Sequence, residues 1–450
     1  MSLSKELAYF VKNVKLSDFP DRAIEIARNA IRDCISVAIK ACDSECGKII
    51  MDYAGEFNRE PLCSVFGTGF KTTPDMAAVV NGTLSHALDF DDVNNTMQGH
   101  PSVALVPAVF AIGEYVHASG ADVLLAYLTG FEVQCRIGRI ARPSHYATGY
   151  HATATMGTFG ATAACAKLLN LDEDQIMTAI GIASSMATGM RDNFGTMTKP
   201  LHAGLAAEHG ITASLLARKG FTSNKEMLFT DKCFNKILNI RQEIPASDVF
   251  TIDKNKTEIM SDGIWIKLYP SCACTHLALD GLFGILKRNN ITYEKIKRIF
   301  VTVNPWAMDT LIHNRPTIGL EAKFSMQYCL AVAAIDGKVT LDSFEDSRVQ
   351  KPDVQELLRR VEVTQDESYG RIYMNCTVGV ETVDGFSESV YVKYPMGCHE
   401  NPSPEDDLKE KFRSCLKGCT VENNVDKILD LFDSFTEVED ISNLVKLITV

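Results

Sequence analysis

Residues 82–102, reading GTLSHALDFDDVNNTMQGHPS, gather two histidines and three aspartates into a run that is otherwise small and apolar. His86, Asp89 and Asp92 follow one another at intervals of three, so a helix through them would present all three on one face. Gly99-His100-Pro101 then reads as a turn with proline ready to open a helix, which sets His100 at a helix N-terminus. The same arrangement recurs along the chain: His151 precedes a helical pattern starting at Ala152, His202 one starting at Ala203, and Ser271 one starting at Cys272. A helix N-terminus offers unpaired N–H groups and the positive end of the dipole, so it attracts carboxylates and disfavours an imidazolium. A neutral imidazole in such a place is a competent base. Lys199 and Lys267 each stand a few residues ahead of such a terminus and add full positive charge, Lys267 within a run that alternates it with Trp265 and Tyr269. Proton transfer on a carboxylate-bearing molecule is the chemistry these residue types fit.

Each residue taken singly has a plainer reading. A histidine at a helix start is more often a cap or a core residue, Lys199 alone reads as a solvated loop lysine, and Tyr328, one turn from Phe324 and Ala331, reads equally as a core tyrosine or a ligand contact. His86, His117, His145, His209, His313 and His399 are read as structural or surface groups. A divalent ion held by His86, Asp89, Asp92 and His100 would make a metal-dependent hydro-lyase, and a non-catalytic carboxylate binder is a third reading. The fourteen cysteines form no CxxC pair, and most sit singly in apolar helical patterns where a thiol packs as a small hydrophobe, so no metal is expected.

The elements that must position these groups differ along the chain. With 450 residues, 46% of them hydrophobic, and a net charge of −12, the chain is long enough for several domains and too acidic for a nucleic-acid binder. It lacks an apolar run of membrane-spanning length and a secretory leader pattern, so a cytoplasmic protein is expected. Through residue 240 the periodicity is helical, over Pro20–Ile39, Pro101–His117, Ala121–Ile140, Ala152–Leu169, Asp172–Ala187 and Ala203–Lys219, with Ala, Gly and Ser allowing close helix approach. Residues 240–263 are polar and turn-rich, a domain crossover. Beyond them, strand patterns at Ile264–Tyr269, Lys295–Thr302, Arg371–Thr382 and Phe386–Tyr394 mix with helical ones at Ala273–Lys287, Glu321–Ile335 and Val354–Arg360. Helical periodicity returns over Glu405–Lys417 and Asn424–Ser434.

HALDFDD with GHPS, GYH with GTFGA, FGTMTKPLHAG, KLYPSC and EAKFSMQY, in this order and over nearly the whole chain, resemble the MmgE/PrpD family. The resemblance implies a mainly α protein: a large all-helical domain from residues 1–255 and 400–450, a smaller α+β lid domain over 256–399, and a homodimer. It implies a cofactor-independent enzyme acting on a small polycarboxylate, as do family members that dehydrate 2-methylcitrate, decarboxylate cis-aconitate or epimerise iminodisuccinate. Asp89, His100, His151, Lys199, Lys267 and Tyr328 match positions resembling the decarboxylase site. On that footing His100 and His151 are the acid/base pair, with Asp89 orienting an imidazole and Lys199 meeting developing charge. Lys267, Tyr328, His202 and Ser271 bind substrate. A lyase is favoured over an epimerase. Val93 stands where the decarboxylase pattern has a hydroxyl residue, and the run to His100 is one residue longer, which bears on substrate identity.

Overall fold

The computed structural model describes residues 2–57, 59–142, 144–229, 249–370 and 375–450. Among these, the first half is helical: α1 (Leu3–Asn13), α2 (Asp21–Ala41), α3 (Glu45–Gly55), α4 (Pro74–Ala87), α5 (Ser102–Val116), α6 (Gly120–Ala141), α7 (Ser144–Ala147), α8 (Ala152–Leu168), α9 (Glu173–Ala183) and α10 (Thr198–Arg218), interrupted by a short hairpin of β1 (Cys63–Ser64) with β2 (Lys71–Thr72). α8 is buried on every side from Ala152 to Ala166, so it forms the centre against which α5, α6 and α10 pack. Small residues permit this: Gly130 of α6 lies against the Gly160 carbonyl of α8, Gly210 of α10 against Ala161, and Gly82 of α4 against Gly204 of α10. No helix among the described residues is long and apolar enough to cross a membrane.

The later part is α+β. β3 (Ile296–Val303), β4 (Val361–Gln365), β5 (Cys376–Thr382) and β6 (Ser387–Val392) form one sheet in the order β4-β3-β5-β6, with β3/β4 parallel and the other pairs antiparallel. β5 and β6 form a hairpin that turns at Gly385 with φ +90°. Helix His276–Asn289 packs on β5 and β6, its Gly281 close against Val378, Val390 and Val392. The final helices return to the helical part: Lys411 Nζ is 2.7 Å from Asp33 Oδ1 of α2, Arg32 of α2 is 2.9 Å from Glu405, and Gly67 donates to the Ile448 carbonyl at 2.7 Å.

Several expected elements take another form. Residues 264–269 make no strand; Trp265 alone pairs with Val93, and Ile264, Trp265, Ile266 and Lys267 are all buried, so alternation there does not mark one wet face. The helix expected over Glu321–Ile335 is two, Gly319–Ala322 and Met326–Asp336, with Lys323 buried between them and Ser325 capping the second by accepting from the Tyr328 N–H. β4 follows the Val354–Arg360 helical pattern without having been expected. The start of the crossover, 240–248, and residues 371–374 of an expected strand lie outside the described residues.

The crossing of α4 and α10 sets the distance between the residues that follow. A Cβ on Gly204 would stand 2.2 Å from the Val79 carbonyl oxygen, and one on Gly82 would stand 2.6 Å from Gly204 Cα. Alanine gains about 1 kcal/mol over glycine inside a helix, but here the collision is with backbone that cannot rotate away. Gly204→Ala is therefore expected to lose about 1–3 kcal/mol net in denaturant unfolding. Equal or greater stability would contradict the close approach.

Candidate active site

The site is organised around the end of α4. The helix stops at Ala87, and Asp89 takes φ +51°, a left-handed conformation that a residue with a Cβ adopts at a cost. The carbonyls left exposed by this ending are taken by ammonium groups. Lys323 donates to the Leu88 carbonyl and, at 3.0 Å, to that of Pro270; Lys267 donates to the Asp89 carbonyl at 2.9 Å, and Lys411 to the Phe90 carbonyl at 2.8 Å. Orphan carbonyls at the negative end of a helix dipole are the natural partners for cations, and each buried ammonium needs such partners to offset its lost hydration.

The Asp89 carboxylate continues the network. Its Oδ1 lies 2.6 Å from Lys199 Nζ and 3.3 Å from Lys267 Nζ. Lys199 also meets His86 Nε2 at 2.8 Å, and His86 Nδ1 meets Asp91 Oδ1 at 2.9 Å. With Nδ1–H donating to Asp91, the His86 Nε2 lone pair accepts from Lys199, so Asp91, His86, Lys199 and Asp89 form one directed chain. The other oxygen of Asp91 lies 2.8 Å from His100 Nδ1, which is 2.9 Å from the Asp92 carbonyl. Asp91 thus holds two imidazoles, whose ring centres are 4.4 Å apart.

Asp89, His100, His151 and Lys199 line one cleft, with Val93, Phe194, Phe324, Cys272, Cys274, Tyr146 and Trp306 among its other walls. His151, ahead of α8 as expected, pairs through Nδ1 with His202 Nδ1 at 3.1 Å, while its buried Nε2 has no partner. The Phe194 and Phe324 rings lie 5.5 and 5.2 Å from Lys199 Nζ, adding cation–π contact on the cleft side.

Charge in this site is unevenly shared. Burial pushes the Asp89 carboxyl upward, but Lys199 and Lys267 outweigh it and hold Asp89 well below the usual range; burial is likewise outweighed at Asp91 by His86 and His100. Burial would lower Lys267, but Asp89 and Asp91 raise it above the ordinary lysine value. Lys323 is lowered by burial to about 8. Burial also keeps the imidazoles neutral: His86 falls to about 3, and His100 and His151 are lowered, His151 further by Lys199. Lysine ammonium groups therefore face two carboxylates and neutral imidazoles, an environment that favours an anion. His86, Asp89, Asp91 and His100 bring potential metal-ligand atoms within 4.8 Å of one another. Lys199, bonded to both His86 and Asp89, stands among them and would have to be displaced by a cation.

The structure brings Asp89, His100, His151, Lys199 and Lys267 together and sets His202 behind His151. It does not bring Tyr328 or Ser271 into the cleft: Tyr328 is fully buried with its hydroxyl donating to the Ser343 carbonyl, and the Ser271 hydroxyl pairs with Thr275 Oγ1 at 2.9 Å. The helix expected from Ala203 begins at Thr198, so Lys199 lies in its first turn and His202 inside it. Asp92 does not share a face with His86 and Asp89, since the helix has already ended; it turns to Ser102, accepting from its backbone N–H at 3.2 Å and bonding its hydroxyl. Asp91, Lys323 and Lys411 were not anticipated as site residues, and His86 only as a ligand in the metal-dependent reading. His86 had a signal in its spacing to Asp89; the two lysines had none from local pattern.

Residues 5–245 match the family model of the MmgE/PrpD N-terminal domain, and residues 269–436 that of the MmgE/PrpD C-terminal domain. Cis-aconitate decarboxylase of Mus musculus is 28% identical over 468 residues, covering 99% of this chain and 93% of that protein. The Aspergillus terreus protein of the same name is 28% identical over 471 residues, covering 99% and 96%. 2-Methylcitrate dehydratase of Cupriavidus necator is 24% identical over 426 residues, covering 88% and 86%.

Asp92 supplies a pH test of this electrostatic picture. Burial raises its carboxyl to about 8 against an ordinary 3.8, despite the bonds from Ser102. The folded state therefore binds its proton more tightly than the unfolded state does, and the stability this brings is present below about pH 4 and lost as pH rises through about 8. Asp92→Asn, which resembles the protonated acid, is expected to gain steadily on the wild type in thermal midpoint from pH 5 to pH 8. A constant difference across that range would show that Asp92 is ionised throughout.

Proposed function

The chain belongs to the MmgE/PrpD family, and on that premise we propose that it is a cofactor-independent lyase acting on a small tricarboxylate, with decarboxylation of a cis-aconitate-like acid as its reaction. The observation that carries the reading is the cleft itself: Lys199 bonded to Asp89, the neutral imidazoles of His100 and His151, and an unpartnered buried His151 Nε2, all lining one opening. Relatives named cis-aconitate decarboxylase are 28% identical to the chain and those named 2-methylcitrate dehydratase 22% to 24%, which supports decarboxylation over dehydration.

In this reaction the C–C bond to one carboxylate breaks and CO₂ leaves. The electron pair spreads into the remaining unsaturated acid, and a proton is then delivered to carbon. Lys199 has one N–H beyond those given to Asp89 and His86, and it stabilises the growing charge where little water competes. Asp89 fixes the ammonium in place. A neutral His151 can give a proton from Nε2 only if Nδ1 recovers one, and His202, whose Nδ1 lies 3.1 Å away, can pass one on only as its own Nε2 takes a proton from solvent. His100, held through Nδ1 by Asp91 and the Asp92 carbonyl, is the second group that accepts or returns a proton. Val93 gives this cleft an apolar wall where the decarboxylase pattern has a hydroxyl, and selectivity among related acids is the property it affects.

The reading is tested by incubating the protein in D₂O with cis-aconitate, citrate and 2-methylcitrate and following products by NMR. The expected outcome is CO₂ release from cis-aconitate with one deuterium in an unsaturated dicarboxylate product. Loss of water from 2-methylcitrate alone would make the enzyme a dehydratase. A saturated product inverted at one deuterated carbon would replace the lyase with an epimerase.

A further inference from the structure

The loop between α4 and α5 supplies a cleft residue that the chemistry above leaves unused. Its backbone closes on itself: Asn94 and Gly99 exchange N–H···O bonds at 2.9 and 3.2 Å, while the Asn94 side chain accepts from the Met97 N–H at 2.9 Å and donates to the Gly263 carbonyl at 2.7 Å. Outside contacts fix it further. Val93 pairs through both backbone groups with Trp265 at 2.9 Å, Thr96 donates to Asp262 at 2.7 Å, and Gly138 of α6 lets Met97 approach so closely that a Cβ there would stand 2.6 Å from the Met97 Cα. Within this frame Gln98 takes φ +55°, a left-handed conformation that glycine or asparagine adopts more readily. Such strain persists only where the surroundings over-determine it, and it gathers at ligand sites.

Gln98 lines the cleft beside Val93 and His100 and is only 6% exposed. Its carboxamide nevertheless has no hydrogen-bond partner among the described residues, and neither of its polar atoms is sealed from solvent. Asn94 in the same loop has both ends of its amide bonded. A primary amide carries donors and an acceptor that a nearly buried position ordinarily satisfies within the protein, so one left open toward a cleft is open to a ligand. We propose that the Gln98 carboxamide is a substrate-binding group whose N–H takes an oxygen of a tricarboxylate's non-reacting carboxylate, which makes the loop ahead of His100 specificity-determining. The inference rests on the tricarboxylate reading and deepens it: Lys199 meets the arm at which charge develops, and Gln98 selects for an acid with a further carboxylate while adding no buried charge of its own. The loop is also where the chain departs from the decarboxylase pattern. A wall that has Val93 in place of a hydroxyl, with one residue more before His100, regains a polar contact from position 98.

Tricarballylate and glutarate differ by one carboxylate, and neither carries the double bond of the proposed reaction, so calorimetric titration of both isolates the contact. Gln98→Met keeps the length of the side chain and removes its hydrogen bond; Gln98→Gly removes it and also relieves the positive φ. Thermal midpoints check the fold of each. Both variants are expected to bind tricarballylate about tenfold more weakly than the wild type, the loss of one hydrogen bond to a charged group, and glutarate within about twofold of it. Undiminished tricarballylate binding by the methionine variant, or equal weakening for glutarate, would overturn the inference and leave the lyase reading standing, since CO₂ release from cis-aconitate tests that reading separately. Calorimetry that registers no polycarboxylate at all would overturn both.

Discussion

Successive carbonyls at the end of α4, those of Leu88, Asp89 and Phe90, are each taken by a buried lysine, and the rest of the site depends on that arrangement. The lysines come from distant parts of the chain. Lys267 and Lys323 belong to the stretch that carries the α+β sheet, Lys411 to a late helix packed on α2, and Lys199, which binds the side chain of Asp89, to α10. A buried ammonium without partners is strongly destabilising, and so is a buried orphan carbonyl. Each therefore requires the other, and the left-handed turn at Asp89 persists because several separate elements hold it. The helical part, the α+β part and the C-terminal segment must all be in place before the site exists.

The same arrangement explains its electrostatic character. Low solvent access separates the titrating groups by their company: Asp89 and Asp91 remain ionised because cations and N–H donors face them, whereas Asp92 is pushed by burial to about 8, with Ser102 as its hydrogen-bond donor and Asp91 and Asp33 as like charges. The imidazoles, surrounded by ammonium groups and little water, are kept neutral. In a negatively charged protein, the cleft lining sets one lysine, Lys199, against one carboxylate, Asp89, with Lys267 and Lys323 behind them. Binding of a polycarboxylate and proton movement by neutral histidines are consistent demands on one set of side chains.

Helices in the first half were legible from long apolar runs rich in Ala, Gly and Ser that end at glycine or polar breaks, and α2, α5, α6 and α8 lie within two residues of their expected bounds, although α5 and α8 are buried on nearly every side. Positions where the backbone departs from regular geometry were not legible. The three-residue spacing of His86, Asp89 and Asp92 matches a helical face, but the chain leaves the helix at Ala87, so a positive φ at Asp89, rather than periodicity, brings the carboxylate to Lys199. In residues 264–269, alternation belongs to a single extended segment wedged against Val93, with no sheet beside it. Lys323 and Lys411 look like ordinary charged residues in sequence; what makes them site residues is the carbonyl each reaches, and that is a tertiary fact. Tyr328 sat in a recognisable motif, yet its hydroxyl turns to the Ser343 carbonyl, and the side chain of that motif that reaches the end of α4 is Lys323.

In the proposed reaction Asp89 and Lys199 act as one unit, the carboxylate placing the ammonium. A double-mutant cycle on kcat/KM with Asp89→Asn, Lys199→Met and the combined variant tests it most directly, since interacting residues show losses that do not add. Each single change is expected to cost about a hundredfold or more, roughly the 2.7 kcal/mol of one charge-assisted contact in a dry site, and the double variant is expected to be no worse than the less active single. Losses that multiply in the double variant would show that the two residues act independently and would contradict it.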